Sequence, residues 1–284
     1  MTDILEAQNT TSASRSGPNP QGDFIWYELM TTDPDSAKTF YDAVVGWKIA
    51  THADPGAGGM DYRMIERSDS QESADGGNAG GVLKLTDDML KGGARPCWLG
   101  YLSVDDVDKT VDAIVADGGK LQMPATDLPV GRIAMVTDPQ GAPFYIMKPT
   151  PPPGKEGLAS DVFSPDQLGR VSWNELATRD LEAAKRFYPS HFGWTLGDVM
   201  PMGDMGDYQL ITHKGVPLGA MMTAAPDNQP RWRFYFRVAD VDAAKQAVEA
   251  NGGTVSHGPQ EVPGGDRILI GTDPQGAEFA LVGK

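Results

Sequence analysis
Apolar positions along the chain recur at helical and at strand spacing, in the same alternation four times over. Ala37, Phe40, Tyr41, Val44 and Val45 follow the i, i+3, i+4, i+7, i+8 stripe of a helix buried on one side. Asp33 stands ahead of them as an N-cap, with Pro34 at the first helical position. Val107, Val111, Ile114 and Val115 repeat the stripe behind Asp106 and stop at Asp117-Gly118-Gly119. Asp180 and Asp240 open two further helices, the first of which Pro189 is expected to shorten. Each helix follows one extended segment and precedes several short ones. A unit of about 70 residues has no room to bury a helix and a full sheet alone, so two units per domain is the expected packing.

The alternation is an internal repeat. Trp26-Tyr27-Glu28-Leu29 returns as Trp173-Asn174-Glu175-Leu176, Ala37-Lys38-Thr39-Phe40-Tyr41 as Ala184-Lys185-Arg186-Phe187-Tyr188, and Gly46-Trp47 as Gly193-Trp194, all at an offset of 147. Val104-Asp105-Asp106-Val107-Asp108 matches Val238-Ala239-Asp240-Val241-Asp242 at 134, and Thr137-Asp138-Pro139-Gln140-Gly141-Ala142 returns unchanged at 135. The shorter offset leaves about a dozen extra residues in the first copy, assigned here to a longer hairpin loop over Ser68 to Gly81. Residues 1–21 read as a disordered tail, 22–148 as the first domain, 149–167 as a Pro-rich linker with a stiff, exposed opening, and 168–284 as the second domain.

Composition narrows the function classes. Lys and Arg number 24 against 39 Asp and Glu, a net charge of −15. Phosphate backbones and anionic lipid are repelled, so neither nucleic acid nor membrane is an expected partner. No apolar run approaches the ~18 residues of a membrane span, and the start of the chain lacks the basic and apolar regions of a secretory signal. The single cysteine, Cys97, cannot form an intrachain disulfide, which suits the reducing cytoplasm taken as the expected location. It is expected on the edge of a strand, with no nearby basic residue convincing enough to activate it. Phosphate-cradling Gly-rich loops and a G-x-S-x-G nucleophile elbow are both absent.

The order W-x-E-L, F-Y, G-W, V-x-D-V-D and T-D-P-Q-G-A, present twice, resembles the vicinal oxygen chelate superfamily. Within it the chain is similar to the glyoxalase/bleomycin-resistance/dioxygenase-like proteins with two tandem domains, relatives of lactoylglutathione lyase. The resemblance implies an α+β fold: four βαβββ modules paired into two glyoxalase-like domains, each with a mixed sheet curved into a cup around a small-molecule site. The domains would form an intramolecular pseudo-dimer, with homo-oligomerisation left open. In metal-dependent members, His or Glu ligands stand at set places. Here those places hold Trp26, Leu99 and Tyr145 in the first domain and Trp173, Arg233 and Ala280 in the second. None is the imidazole, carboxylate or thiolate that a divalent transition metal takes. No metal and no other cofactor is therefore expected, with a divalent metal on unrecognised ligands as the alternative. His52, His191, His213 and His257 are scattered and read as surface or loop residues.

Alternate side chains of a strand share a face, so the ligand places define the cup faces. The first cup would carry Trp26, Glu28, Met30, Leu99, Tyr101, Ser103, Tyr145 and Met147, with Ile25, Tyr27, Leu29 and Trp98 on the opposite, packing face. The second would carry Trp173, Glu175, Arg231, Arg233, Tyr235, Arg237 and Ala280, with Glu278 nearer the rim. The first lining suits a flat apolar ligand, the second a ligand with an anion or polar carbonyls. Glu175, and after it Glu28, are the candidate acid/base groups, although a tight Arg233–Glu175 pair would remove that role from Glu175. Trp26, Tyr101, Tyr145, Met147, Trp173, Arg233, Tyr235 and Arg237 are the candidate ligand-binding residues. Both glutamates and both tryptophans also have a structural reading, as buried partners and as plugs of a disused site. Met200, Met202, Met205, Met221 and Met222 read as core or as an adaptable apolar mouth. The D-P-Q-G turns are read as backbone features, and Arg132 and Arg267 as braces. The expected function is a metal-independent small-molecule protein, binding a hydrophobic or aromatic metabolite or drug, with lyase- or isomerase-type proton transfer if it is an enzyme. The rivals are a metal-dependent lactoylglutathione lyase-like or extradiol dioxygenase-like enzyme, and a non-enzymatic protein that sequesters its ligand.

Overall fold
The computed structural model describes residues 17–284 apart from 70–72, 75 and 227. The expected tail therefore lies outside the described residues up to position 16, whereas its last part is bound into the fold. Asn19 Oδ1 accepts from Ser160 N at 2.7 Å, and Gln21 Nε2 donates to His191 O at 2.9 Å.

In the first domain β1 (Phe24–Thr31), α1 (Pro34–Val45), β2 (Lys48–Ile49), β3 (Tyr62–Glu66) and β4 (Asn78–Lys84) form one module. A short helix, α2 (Asp87–Lys91), leads to the next: β5 (Cys97–Ser103), α3 (Val107–Ala116), β6 (Lys120–Leu128), β7 (Gly131–Thr137) and β8 (Pro143–Pro149). The second domain repeats the order with β9 (Val171–Thr178), α4 (Leu181–Phe192), β10 (Thr195–Pro201), β11 (Asp207–His213) and β12 (Val216–Thr223). Its second module is β13 (Arg231–Arg237), α5 (Val241–Ala250), β14 (Thr254–Glu261), β15 (Arg267–Thr272) and β16 (Glu278–Gly283). Each domain makes one eight-stranded mixed sheet, in the orders β2-β3-β4-β1-β5-β8-β7-β6 and β10-β11-β12-β9-β13-β16-β15-β14. The first strand of each module pairs parallel with its last, and the two first strands meet antiparallel at the sheet centre. This is the α+β arrangement of four βαβββ modules in two tandem domains.

The helix signals act as the residues suggest. Asp33 accepts from the backbone N–H of Asp35 and Ser36, and Asp106, Asp180 and Asp240 each cap the third residue beyond them. Pro189 does not shorten α4, which spans 12 residues like α1. It removes one donor in the last turn, but Gly193 N closes that turn on Pro189 O, and buried Phe187, Tyr188 and Phe192 hold it against the core. Val115 leaves the stripe of α3 and is exposed. Ile25 departs from the packing face because β1 carries a bulge between Phe24 and Trp26, which turns Ile25 toward the cup-side cluster. The linker opens exposed but does not stay so: Val162 and Ser164 are buried, and Phe163 bridges to Val171.

The two sheets pack back to back over one continuous core to which both domains contribute. Phe234 lies edge-on to Tyr27 with ring centroids 5.0 Å apart, and Phe236 packs on Trp98 at 4.8 Å. Gly100 makes the close approach possible, since a Cβ there would stand 2.8 Å from the Phe24 ring and 3.1 Å from that of Phe234. Polar groups in this core are paired across the domains. Tyr27 Oη donates to Asn174 Oδ1 at 2.8 Å, Tyr41 Oη to Asp273 Oδ2 at 3.2 Å and Tyr188 Oη to Asp138 Oδ2 at 3.1 Å. His213 is buried rather than superficial, with Nδ1 2.7 Å from Asp23 Oδ1 of the other domain. The D-P-Q-G turns are thus more than backbone features: Asp138 Oδ1 accepts from the N–H groups of Gln140, Gly141 and Ala142 while Oδ2 takes the tyrosine of the opposite domain. The domains form an intramolecular pseudo-dimer.

A shared core predicts shared unfolding. Urea denaturation of the whole chain should give one transition by tryptophan fluorescence and by circular dichroism. Gly100→Val should lower its midpoint without splitting it, at a cost of about 1–3 kcal/mol for overpacking. Two separated transitions in the wild type would contradict a common core.

Candidate functional site
The faces turned away from the shared core carry two related constellations. In the first cup Glu28 lies on β1 opposite Leu99 of β5, with its side chain buried (3% exposed). Tyr101 Oη donates to Glu28 Oε2 at 2.8 Å. Tyr62, on β3, accepts from Trp26 Nε1 at 2.7 Å, and its hydroxyl lies beside the same carboxylate. In the second cup Tyr208 Oη and Tyr235 Oη donate to Glu175 Oε2 at 2.9 and 3.0 Å, and Trp173 Nε1 donates to Tyr208 Oη at 2.8 Å. A Trp-Tyr-Glu-Tyr set is therefore present twice. Tyr62 and Tyr208 are absent from the sequence-derived candidates. The signal for them is the matched Asp61-Tyr62 and Asp207-Tyr208, 146 apart.

What surrounds the two carboxylates differs. Around Glu28 stand Met30, Leu99, Tyr145 and Met147, with Tyr101 and Tyr145 stacked at 4.3 Å between centroids. The connection from β4 to β5, residues 85–96, packs Met89, Leu90 and Ala94 onto this cluster, so part of the first copy's extra length lies here and not only in the loop before β4. Gly81 of β4 lies beside Glu28, and a Cβ there would meet the Tyr62 hydroxyl at 2.1 Å; the missing side chain is the space the phenol uses. Burial raises the Glu28 carboxyl from 4.5 to about 7, against the lowering pull of the Tyr101 and Tyr62 hydroxyls. Its Oε1 has no hydrogen-bond partner among the described residues. Burial also pushes the Cys97 thiol up to about 12, which leaves it inert.

In the second cup Arg233 replaces Leu99. Its Nη1 bonds Glu175 Oε1 at 2.5 Å and its Nε bonds Glu278 Oε1 at 2.9 Å, while Arg231 grips Glu278 through two bonds of 2.8 and 2.9 Å. Both oxygens of Glu175 are engaged, Oε1 by Arg233 and Oε2 by the two tyrosines. This is the tight Arg233–Glu175 pair that the sequence analysis named as unfavourable to an acid/base role for Glu175. Arg237 is committed to Ser172 Oγ and Asp266, away from Glu175. Of the methionines, Met221 is core, Met200 and Met222 sit in the row of Tyr208, and Met202 and Met205 are exposed. Arg132 and Arg267 do act as braces, tying β7 and β15 to the first turns of α3 and α5 through Asp108 and Asp242.

The residues at the implied ligand places do not fit a divalent metal. Indole, isobutyl, methyl and guanidinium groups offer no donor, and burial together with the Glu28 charge raises the Tyr145 phenol far above its usual range, away from phenolate. Among the described residues no three His, Cys, Asp or Glu side chains converge. Among the same residues, no helix is long and apolar enough to cross a membrane.

Paired cups of mixed sheet, each with a hydroxyl-bound carboxylate on its floor, define a tandem glyoxalase-type protein. The chain belongs to the Glyoxalase/Bleomycin resistance protein/Dioxygenase superfamily, whose family model matches residues 24–146 and 167–281. It is 31% identical over 264 residues to the glyoxylase-named CFP32 of Mycobacterium tuberculosis (strain CDC 1551 / Oshkosh), over 92% of this chain and 95% of that protein. It is 28% identical over 271 residues to the anthracycline biosynthesis protein DnrV of Streptomyces peucetius, over 90% and 91% of the two chains. The Mn(II)-bound glyoxalase from Novosphingobium aromaticivorans shares the fold with a TM-score of 0.60 at 15% identity, over 95% of this chain and 83% of that one. The 2,3-dioxygenase LapB from Pseudomonas sp. KL28 does so at 0.57 and 14%, over 95% and 92%.

The raised Glu28 carboxyl makes a signed prediction. Because the folded-state value lies above the unfolded one, the group's contribution is fully present below about pH 4.5 and is lost as pH rises through about 7. The loss amounts to about 3 kcal/mol at 1.36 kcal/mol per pH unit. Glu28→Gln should remove that slope, so the variant gains on the wild type between pH 5 and 8 in urea titrations. Parallel profiles would show that Glu28 does not titrate in this range.

Proposed function
We propose that the first cup is the reactive site of a metal-independent protein that binds a flat, largely apolar small molecule and moves a proton on it, with Glu28 as the acid/base group. The observation that carries this reading is a buried carboxyl raised to about 7, with one oxygen unpartnered among the described residues, inside a wall of Met and Tyr side chains. A general base works best when its pKa lies near the operating pH. Tyr101 and Tyr145 supply the aromatic surface, and Trp26 acts through Tyr62 rather than as a contact of its own. The chemistry is of lyase or isomerase type, since proton transfer is what this set of groups provides. The name of DnrV attaches a relative to anthracyclines, flat polycyclic aromatics, which is the ligand shape this lining suits. Sequestration without turnover is the second reading, favoured by the apolar cover that Met89 and Leu90 place on the cup.

Two measurements test it. Exchange of the α-protons of 2-tetralone, an aromatic ketone with an acidic C–H, is followed by NMR in deuterated buffer. The wild type should accelerate exchange, Glu28→Gln should lose about 10²–10⁴-fold, and Glu175→Gln should keep most of it. Saturable binding of the probe with no acceleration favours sequestration, and equal loss in both variants removes Glu28 from its role. Metal independence is tested on protein purified without a metal-affinity tag. Zn, Ni, Fe and Mn should stay well below one equivalent, and a chelator should leave the melting temperature unchanged. Stoichiometric metal lost together with activity would overturn it.

A further inference from the structure
Four strands end the two sheets: β2 and β6 in the first, β10 and β14 in the second. A sheet edge carries backbone N–H and C=O groups with no strand to take them, and folded proteins blunt such edges by shortness, proline or charge. Three of these four are blunted in that way. β2 is two residues long and opens with Lys48. β6 has Lys120 at its start and Pro124 in its middle, and β14 has Pro259 in its interior, where the register with β15 shifts. β10 differs from all three. It runs seven residues, its proline is the last of them, and its one charged side chain is Asp198. Its bulge, between Leu196 and Val199, is filled from the sheet side by the buried Gln209, whose Nε2 donates to Gly197 O at 2.7 Å.

What this edge shows to solvent is apolar. Leu196, Val199, Met202 and Met205 are four of the nine exposed large hydrophobic side chains among the described residues, and they fall within ten positions of the chain. Val199 is 43% exposed and Met205 55%. The 3₁₀ turn Gly203–Met205 is closed by Met202 N donating to Gly206 O at 2.9 Å, which keeps both methionines at the end of the strand. In the first copy His52 stands in the place of Val199 and Pro55 in that of Met202, and the strand has already ended. The fold therefore does not demand apolar residues here, and a cluster of them left in water marks a contact surface.

Charge selects the partner. Asp198, Asp204 and Asp207 are all exposed, and no Lys or Arg lies between Trp194 and His213. Two copies meeting edge to edge would set these carboxylates against one another, on chains that each carry −15. A segment bearing Lys or Arg meets complementary charge instead. We propose that the outer edge of β10, with the turn that follows it, docks an extended cationic segment of another protein, which joins the second sheet as a ninth strand. Main-chain hydrogen bonds hold the segment, its apolar side chains cover Leu196 and Val199, and its basic side chains reach Asp198 and Asp204. The site is a sheet edge and not the concave face of either domain, and it does not depend on proton transfer at Glu28.

The probe is a labelled, end-blocked octapeptide of alternating lysine and valine, titrated with the full chain by fluorescence anisotropy at low salt. It should bind saturably, and about tenfold or more tighter than the glutamate–valine peptide, which has a similar alternation and the wrong charge. The lysine–valine peptide N-methylated at every residue has no main-chain donors and should lose at least as much. Leu196→Lys and Val199→Lys alter exposed side chains and should keep the circular dichroism spectrum, yet each should weaken binding about tenfold. Val130→Lys adds the same charge at the exposed turn between β6 and β7 and should leave binding unaltered. Asp198→Asn should weaken binding and lessen its salt dependence. Val199→Lys should also leave the sedimentation coefficient of the chain unchanged. The proposal is overturned if the wild type shows no saturable binding, if the glutamate–valine or the N-methylated peptide binds as well, or if Val130→Lys weakens binding as much as Val199→Lys. It is equally overturned if Val199→Lys dissociates a dimer of the chain, which would assign the edge to a second copy.

Discussion
Tyr41 and Tyr188 each reach out of one domain to a turn aspartate of the other, from the middle of the core that the domains share. A phenol hydroxyl buried among aromatic rings needs an acceptor, because leaving it unpaired costs more than the bond itself contributes. The acceptor is ready-made. Asp138 and Asp273 each spend one oxygen on the N–H groups of their own D-P-Q-G turn, and the other oxygen is left for the tyrosine. The F-Y of the helix and the T-D-P-Q-G of the turn are therefore two halves of one contact, made twice. Trp98 and Trp232 complete it by donating to the same two hydroxyls.

That contact decides where function can lie. The packing faces of both sheets are consumed between the domains, and the concave faces carry the separate clusters around Glu28 and Glu175. The two cups have diverged within this freedom. Both keep a carboxylate with two tyrosine hydroxyls beside it and a tryptophan donating to one of those hydroxyls. Leu99 against Arg233 and Tyr145 against Ala280 then set opposite environments: desolvation dominates around Glu28, an ion pair around Glu175.

Most of the fold was legible because its signals are local or repetitive. N-cap aspartates, helical stripes and the doubled motifs act within a few residues or announce themselves by recurrence. The misread elements are those decided at longer range. Pro189 sits within α4 because Phe187, Tyr188 and Phe192 outweigh one lost donor, and the bulge beside Phe24 turned Ile25 to the other face. His213 is buried because Asp23, 190 residues away in sequence, meets it. The site was half legible: strand alternation placed Glu28, Glu175 and Arg233 on the cup faces. It could not say how tightly Arg233 would hold Glu175, nor that Tyr62 and Tyr208 arrive from two strands away.

The covering of the first cup and the chemistry of its floor depend on each other. A hydrated Glu28 would titrate near the ordinary carboxylate value. The longer β4–β5 connection supplies the missing cover with Met89 and Leu90, and Leu99 removes the charge that would otherwise hold the carboxylate ionised. In the second cup the carboxylate is equally buried, and an ion pair with Arg233 takes the place of the apolar neighbours. The two copies are thus each self-consistent, and neither is a degenerate version of the other.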